Sequence, residues 1–274
     1  MTELWQLEFM RNALWAGLLV SLACGVVGCL VVVNRIVFIS GGIAHAAYGG
    51  IGLAFFLGLA PLAGVLGFTL LCAVLMAWIS LTRRERADTV IGVVWALGMA
   101  LGVFLLDLTP GYHPDLMSYL FGSILSVPRS DLYLTAGLDV VVLAVVGWGY
   151  HRFMALSFDQ EFALSRGLAV KPLYFLLIIL ISLVVVMLIR VVGLLLVIAL
   201  LTIPAYIAEG FCRSLKAMMA LASLLCALFT LCGLALAVRL DLSSGPSIIM
   251  VAGAAFFLAQ GWHALRRGKE PAGV

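Results

Sequence analysis

Nine runs of mostly apolar residues, each close to the length of a membrane-spanning helix, constrain this chain more than any other feature. They fall near residues 12–33, 41–59, 62–81, 89–106, 132–150, 173–189, 191–208, 217–238 and 246–263. About 20 residues of helix span the hydrocarbon core of a bilayer, and there each segment must satisfy its own backbone hydrogen bonds. We therefore predict an all-α, polytopic membrane protein built as a bundle of eight or nine transmembrane helices. The count is eight if the first or second run does not cross.

Composition leaves no room for a soluble catalytic domain beside these spans. The chain is 65% apolar and 11% charged, so we expect residues 1–274 to form a single transmembrane domain. Its only Gly-Lys pair, Gly268-Lys269, is followed by Glu270 rather than Ser or Thr, so the phosphate-binding loop of ATPases is missing. No serine-protease or zinc-protease motif is present either. We predict a non-catalytic membrane subunit, with ATP hydrolysed by a partner chain, and the net charge of +3 gives no reason to expect nucleic acid.

Basic residues are distributed unevenly when the nine runs are placed in alternating directions. One side collects 12 of the 16 lysines and arginines, and the other side collects four. The larger group is Arg35, Arg83, Arg84, Arg86, Arg152, Arg166, Lys171, Arg213, Lys216, Arg266, Arg267 and Lys269. Because short loops rich in Lys and Arg stay in the cytoplasm, we expect this side, and with it the C-terminus, to be cytoplasmic.

Two ionisable side chains stand out inside the predicted spans. Such a group is costly in hydrocarbon unless it faces protein, water or an ion, so each is a candidate for a transport path. His45 follows Gly41-Gly42-Ile43-Ala44, and a neutral imidazole is a good ligand for zinc and related ions. A hydrogen bond from His45 to a neighbouring carbonyl is the simpler alternative. Asp139 lies in the fifth of the nine runs, where it can be protonated, paired or lining a cavity.

The longer connections offer surfaces for partners. On the side opposite the basic one, 107–131 is long enough to hold structure and is the natural docking face for something outside. On the basic side, residues 157–167 carry the signals of a short helix: Ser157 or Asp159 as its cap, Glu161 in its first turn and Gly167 at its end. A short cytoplasmic helix between two spans is suited to bind a partner, and a solvated connector is the alternative.

Proline and glycine mark places where helices bend or approach closely. Pro204 falls inside an apolar run, where it removes a backbone hydrogen bond and is expected to bend the helix, as a hinge or a fixed kink. We expect Thr202 to compensate the freed carbonyl. Gly98 and Gly102 have the small-xxx-small spacing that lets helix backbones meet in lipid. The six cysteines form no Cys-x-x-Cys pair and are expected to serve packing.

Several sequence stretches, taken together and in order, match the pattern of a known protein family. They are Gly41-Gly42-Ile43-Ala44-His45-Ala46, Asp115-Leu116-Met117-Ser118-Tyr119-Leu120-Phe121-Gly122-Ser123-Ile124-Leu125-Ser126-Val127, Phe158-Asp159-Gln160-Glu161-Phe162-Ala163, Val192-Gly193-Leu194-Leu195-Leu196-Val197 with Leu201-Thr202-Ile203-Pro204-Ala205, and Asp241-Leu242-Ser243-Ser244-Gly245-Pro246-Ser247. In this order they resemble the permease subunits of bacterial zinc and manganese ABC importers, the ABC-3 metal permease family. The likeness covers nearly the whole chain.

The resemblance implies a type II-like importer in a bacterial inner or plasma membrane. It would contain two permease copies, two cytoplasmic ABC ATPases and an extracytoplasmic metal-binding protein, working by alternating access. Residues 157–167 would be the coupling helix seated in the ATPase, with its contacts made by Asp159, Glu161, Phe162, Arg166 and Gly167. The divalent ion, zinc, manganese or iron, would be cargo rather than a stably bound cofactor, and ATP would be held by the partner subunit.

Three positions depart from the pattern that the resemblance implies. Members commonly carry a carboxylate four residues before the histidine, a second aspartate after the Phe-Gly pair and a proline in the helix that follows the histidine. Here these positions are Gly41, Ser123 and Gly49. Either another polar residue such as Asp139 replaces the missing ligand, or the path binds the ion weakly. A permease for a siderophore or haem, or a secondary transporter without an ATPase, is the remaining alternative.

Overall fold

The computed structural model describes residues 8–82, 86–110, 122 and 124–267. These residues form eleven α-helices and a short 3-10 turn at Ile124–Ser126. The helices are α1 (Glu8–Val33), α2 (Val37–Leu57), α3 (Pro61–Thr82), α4 (Ala87–Asp107), α5 (Arg129–Trp148), α6 (Tyr150–Phe158), α7 (Gln160–Ser165), α8 (Val170–Val192), α9 (Leu194–Phe211), α10 (Leu215–Leu240) and α11 (Ser244–Arg267).

Nine of these helices are long and apolar enough to cross a membrane, namely all except α6 and α7. The predicted helical membrane bundle is therefore confirmed within the described ranges, and both of the first two runs form full-length helices of 26 and 21 residues. Most helices extend a few residues beyond the apolar runs. Polar residues such as Glu8 add turns at the helix ends, where water is close and an ionisable side chain costs little.

The bundle is built around α1, α2 and α8. Of the residues in their most apolar stretches, 78% are buried in α2, 72% in α8 and 67% in α1. Helices α9, α10 and α5 pack around α1, and α3 and α4 pack around α2. In α4 only 22% of the corresponding residues are buried, so most of this helix faces away from the rest of the chain.

The connections gather at two ends of the bundle. One polar cavity is lined by the α1–α2 turn, the end of α3, the start of α4 and α7. This end carries the predicted cytoplasmic connections, and we call it the basic end. A cavity of about 510 Å³ at the other end is lined by the start of α3, the 3-10 turn, the start of α5 and the end of α8. We call this end of the bundle the opposite end.

An ion pair fastens α5 to α8 at the opposite end. The Arg190 guanidinium of α8 donates to both carboxylate oxygens of Asp131 at the start of α5, with N–O distances of 2.8 to 3.1 Å. Asp131 is 8% exposed. A carboxylate this buried needs a partner, and the two-pronged guanidinium supplies one with favourable geometry.

Glycines bring α2 and α4 into backbone contact, as their spacing predicts. A Cβ built on Gly98 would lie 2.7 Å from the Cα of Ala46, and one built on Gly102 would lie 2.3 Å from the carbonyl oxygen of Tyr48. A Cβ on Gly52 of α2 would in turn lie 2.2 Å from the carbonyl oxygen of Gly102. Any larger residue at these positions forces the two helices apart, so the glycines fix the position of α4 along the axis of α2.

Pro204 lies inside α9, and the carbonyl that it frees is satisfied from another helix. Because proline has no N–H, the carbonyl of Leu200 loses its helical donor. The Cys226 thiol of α10 donates to that oxygen at 3.4 Å. The expectation for Thr202 was wrong: its hydroxyl donates to the carbonyl of Ile198 at 2.7 Å, the usual back-bond of a helical threonine.

Candidate functional site

His45 lies midway along α2, on the side that faces α4. It is half-buried, and among the described residues none makes a hydrogen bond to its buried Nδ1. The sequence offered a simpler interpretation, in which His45 forms a hydrogen bond to a neighbouring carbonyl. No such bond is made at Nδ1 by the described residues. An unpartnered nitrogen in such a place is available to a ligand.

The indole of Trp95 on α4 stacks on the imidazole of His45. The ring centroids are 4.1 Å apart and the ring planes differ by 11°. A Cβ built on Gly41, one helical turn before His45, would lie 3.8 Å from Cζ3 of Trp95 and 3.3 Å from Cδ1 of Ile198. An aromatic ring and an aliphatic side chain thus surround the place where the resemblance implies a carboxylate.

Asp139 lies in α5 and is 3% exposed. Within the described part of the chain, neither carboxylate oxygen has a hydrogen-bond partner. Helix α5 packs against α1 and α8. A buried carboxylate without donors is costly when ionised, so Asp139 marks a place that needs a proton, a cation or water.

The structure does not bring His45 and Asp139 together as one cluster. Helices α2 and α5 are not among the pairs that pack along each other, whereas α8 packs against both. No group of three or more His, Cys, Asp or Glu side chains with metal-site geometry occurs in the described ranges. The alternative in which Asp139 replaces the ligand missing at Gly41 receives no support from this geometry. Ser123, another of the three departures, lies outside the described residues.

The segment 157–167 contains the last two residues of α6 and one whole short helix, α7, and Asp159 takes the cap position directly before α7. Helix α6 ends at Phe158, Asp159 is extended, and α7 begins at Gln160. Glu161 lies in the first turn of α7, as predicted. Gly167 has a φ of 74° and donates its N–H to the carbonyl of Leu164, which ends the helix in the left-handed conformation that glycine favours.

Apolar anchors hold this pair of short helices against the bundle. Phe153, Leu156 and Ala163 are each 1% exposed, whereas Phe158 and Leu164 are 67% and 59% exposed. The side chains of Asp159, Glu161 and Arg166 are also exposed; the side chain of Phe162 lies outside the described part. The segment therefore presents a mixed apolar and charged surface at the basic end.

Ser157 connects this segment to the transmembrane bundle. Its hydroxyl lies in the last turn of α6 and accepts a hydrogen bond from the Asn34 side chain at 2.7 Å, while donating to the carbonyl of Phe153 at 2.8 Å. Ser157 as a helix cap was therefore wrong, because it lies within α6. Asn34 belongs to the turn between α1 and α2, so one hydrogen bond joins the surface segment to the turn that precedes the helix carrying His45.

Comparison with known proteins identifies the family. The model of the ABC 3 transport family matches residues 6–262. This chain belongs to the ABC 3 transport family. An uncharacterized membrane protein of Synechocystis is 51% identical over 94% of this chain and 92% of its own length. The manganese import system permease protein ScaB of Streptococcus parasanguinis is 34% identical over 92% of this chain and 90% of its own length.

A solved structure extends the family likeness to three dimensions. PsaBC from Streptococcus pneumoniae, in complex with Fab, matches with a TM-score of 0.84 and 31% identity over 93% of this chain and 92% of the PsaBC chain. The family resemblance and the multi-pass permease fold are thereby confirmed. Trp95 and the pair of Asp131 with Arg190 were missed from sequence, although Trp95 precedes Gly98 by about one helical turn, a signal that was available.

Proposed function

We propose that this member of the ABC 3 transport family is the permease subunit of an ATP-driven importer of a divalent transition-metal ion. The match over residues 6–262 is the observation that carries the proposal, and the manganese permeases among the relatives support a metal ion as cargo. Nine spans account for most of the described chain and the sequence has no phosphate-binding loop, so a separate ABC ATPase supplies the energy.

The basic end faces the cytoplasm in this proposal. Its excess of lysines and arginines supports that orientation, and the α6–α7 segment then lies where an ATPase can bind it. The exposed Phe158 and Leu164 provide apolar contacts, and the exposed Asp159 and Glu161 provide charged ones. Movement of the ATPase reaches the bundle through the buried anchors and through the Asn34–Ser157 hydrogen bond.

The ion passes close to His45. This side chain is half-buried, and its Nδ1 has no partner among the described residues, on a helix whose neighbour α4 is largely uncovered. A second permease copy placed against that uncovered side completes the path, and a metal-binding protein delivers the ion to the opposite end. A single imidazole per chain holds the ion weakly enough to release it, which a conduit requires.

Uptake by cells that lack and then regain this chain is the decisive measurement. We expect radiolabelled zinc, manganese or iron uptake to depend on the chain, on a copurifying ATPase and on His45, with His45→Ala reducing uptake while the complex still assembles. Changing Asp159, Glu161 or Phe162 to Ala is expected to leave ATP hydrolysis that no longer drives transport. Uptake by the purified chain alone in vesicles would refute the proposal, and inhibition by a chelate but not by free ions would indicate a chelate permease.

A further inference from the structure

Trp95 has a role that the proposed function does not assign. We propose that Trp95 is a positioning residue for His45: it fixes the imidazole for ion ligation and makes the site favour ions that prefer imidazole, zinc and ferrous iron, over manganese. This inference rests on the proposed function, because it presupposes that the ion passes His45.

The indole of Trp95 is itself held in one orientation by two contacts. Its Nε1–H donates to the sulfur of Met99, one turn further along α4, at 3.3 Å. The ring of Phe38 on α2 lies 5.9 Å from it, centroid to centroid, at an angle of 46°. Contacts to both helices leave the indole little freedom to rotate, so it presents a fixed face to α2.

That fixed face determines the orientation of His45. The two rings are nearly parallel at 4.1 Å, so rotation of the imidazole about its Cβ–Cγ bond would drive its edge into the indole. Metals bind imidazole nitrogens in the plane of the ring, and a stack covers only the ring face. The stack therefore orients the ligand without occupying its nitrogens, a task that a carboxylate or carbonyl performs in most metal sites.

The backbone contact between the helices sets the height at which the two rings meet. Gly98 of α4 lies against Ala46, the neighbour of His45. Trp95 precedes Gly98 by about one helical turn, which places its indole beside the imidazole. The edge of the indole reaches Gly41, since a Cβ there would be in ordinary van der Waals contact with Trp95 at 3.8 Å.

The donor chemistry around this stack decides the ion preference. The described residues contain no group of three His, Cys, Asp or Glu side chains that could hold a metal ion, and we infer that the unpartnered imidazole of His45 is the protein ligand here. Imidazole suits zinc, iron, copper and nickel, whereas manganese and magnesium prefer carboxylate and carbonyl oxygens. A site that relies on a positioned imidazole loses its preference when the imidazole is no longer held.

Uptake by the complete complex in cells that lack the native chain tests this role. The variants are Trp95→Leu, which removes the stack, and Trp95→Phe, which keeps an aromatic face. Trp78→Leu is the matched control because Trp78 is 58% exposed on α3. We expect Trp95→Leu to lower the ratio of zinc to manganese uptake about tenfold, in line with other residues that orient metal ligands. Trp95→Phe and Trp78→Leu should keep the ratio of the unchanged chain.

The outcomes separate this inference from the proposed function. Loss of uptake in His45→Ala together with an unchanged ratio in Trp95→Leu would refute the positioning role alone. Unchanged uptake of all ions in His45→Ala would refute the proposed path instead. A complex that prefers manganese before any substitution would overturn the inferred ion preference.

A spectroscopic measurement covers the case in which Trp95→Leu does not assemble. Cobalt bound at His45 would lie against the indole and quench its emission. The purified complex should therefore lose more tryptophan fluorescence on cobalt addition than the Trp95→Phe complex does, and His45→Ala should abolish the difference. Equal quenching with and without His45 would refute the inference.

Discussion

Gly98→Ala tests whether the glycine contact between α2 and α4 is as tight as the structure has it. The new Cβ would lie 2.7 Å from the Cα of Ala46, whereas ordinary van der Waals contact begins at 3.4 Å. The contact is with backbone, so the helices must separate by about 0.7 Å. Overpacking of this kind costs about 1–3 kcal/mol, and alanine returns about 1 kcal/mol of helix propensity. We expect Gly98→Ala to be destabilising by about 0–2 kcal/mol.

Gly92→Ala, on the same helix, is the matched control because nothing lies within 4 Å of a Cβ at that position. The propensity gain is common to both substitutions, so their difference isolates the packing cost of about 1–3 kcal/mol. Unfolding of the purified chain in mixed micelles, followed against the fraction of SDS, gives this difference. Gly98→Ala as stable as Gly92→Ala would refute the close approach. Separation of the helices should also weaken the His45–Trp95 stack, so Gly98→Ala should lower zinc uptake and Gly92→Ala should not.

Three further substitutions test contacts elsewhere in the bundle. Arg190→Gln removes the partner of the buried Asp131 carboxylate, which costs about 3–5 kcal/mol of stability at full burial and less here because the arginine side chain is 35% exposed. Arg129→Gln is the control, because it breaks an exposed ion pair and should cost at most about 1 kcal/mol. Equal losses of stability in SDS unfolding would contradict the stabilising role of the Asp131–Arg190 pair. Cys226→Ala should lower the free energy of unfolding by about 1 kcal/mol, because the Leu200 carbonyl freed by Pro204 is left without a donor, whereas Cys226→Ser keeps a donor and should not. Identical stabilities of the two variants would show that the thiol contributes nothing. Ser157→Ala should lower transport per ATP hydrolysed in proteoliposomes, and an unchanged ratio would remove this hydrogen bond from the coupling route.

The spans were predictable because one local quantity decides them. A run of about 20 apolar residues can satisfy its backbone in lipid only as a helix, so α8 and α10 follow from hydropathy without any knowledge of their neighbours. The spacing of Gly98 and Gly102 likewise predicts that α4 approaches another helix closely, although it does not say that this helix is α2. Helix ends were less accurate because polar residues near the interface extend a helix without changing its hydropathy.

The side-chain partners were not predictable, because they depend on which helices become neighbours. The spacing of Trp95 from Gly98 places its indole near a close helix contact, but the sequence does not identify His45, 50 positions earlier, as the ring on which it stacks. The pairing of Asp131 with Arg190 likewise joins residues from different helices. Thr202 shows the reverse error: it was the nearest hydroxyl in sequence to the carbonyl freed by Pro204, but a helical threonine bonds back to its own preceding turn, and the donor came from α10.

Backbone contact between α2 and α4 has a consequence for how these two helices can move. Two helices that meet through side chains can slide, because side chains change rotamer, but Gly52, Gly98 and Gly102 place backbone against backbone, where sliding by even one residue brings a Cβ into a carbonyl. Helix α2 therefore carries α4 with it during any reorientation, and the His45–Trp95 stack travels intact. Asn34, in the turn that leads into α2, donates a hydrogen bond to Ser157 of α6, so the surface segment contacts the chain just before this two-helix unit. In the proposed importer, a movement of that turn therefore displaces His45 and Trp95 together.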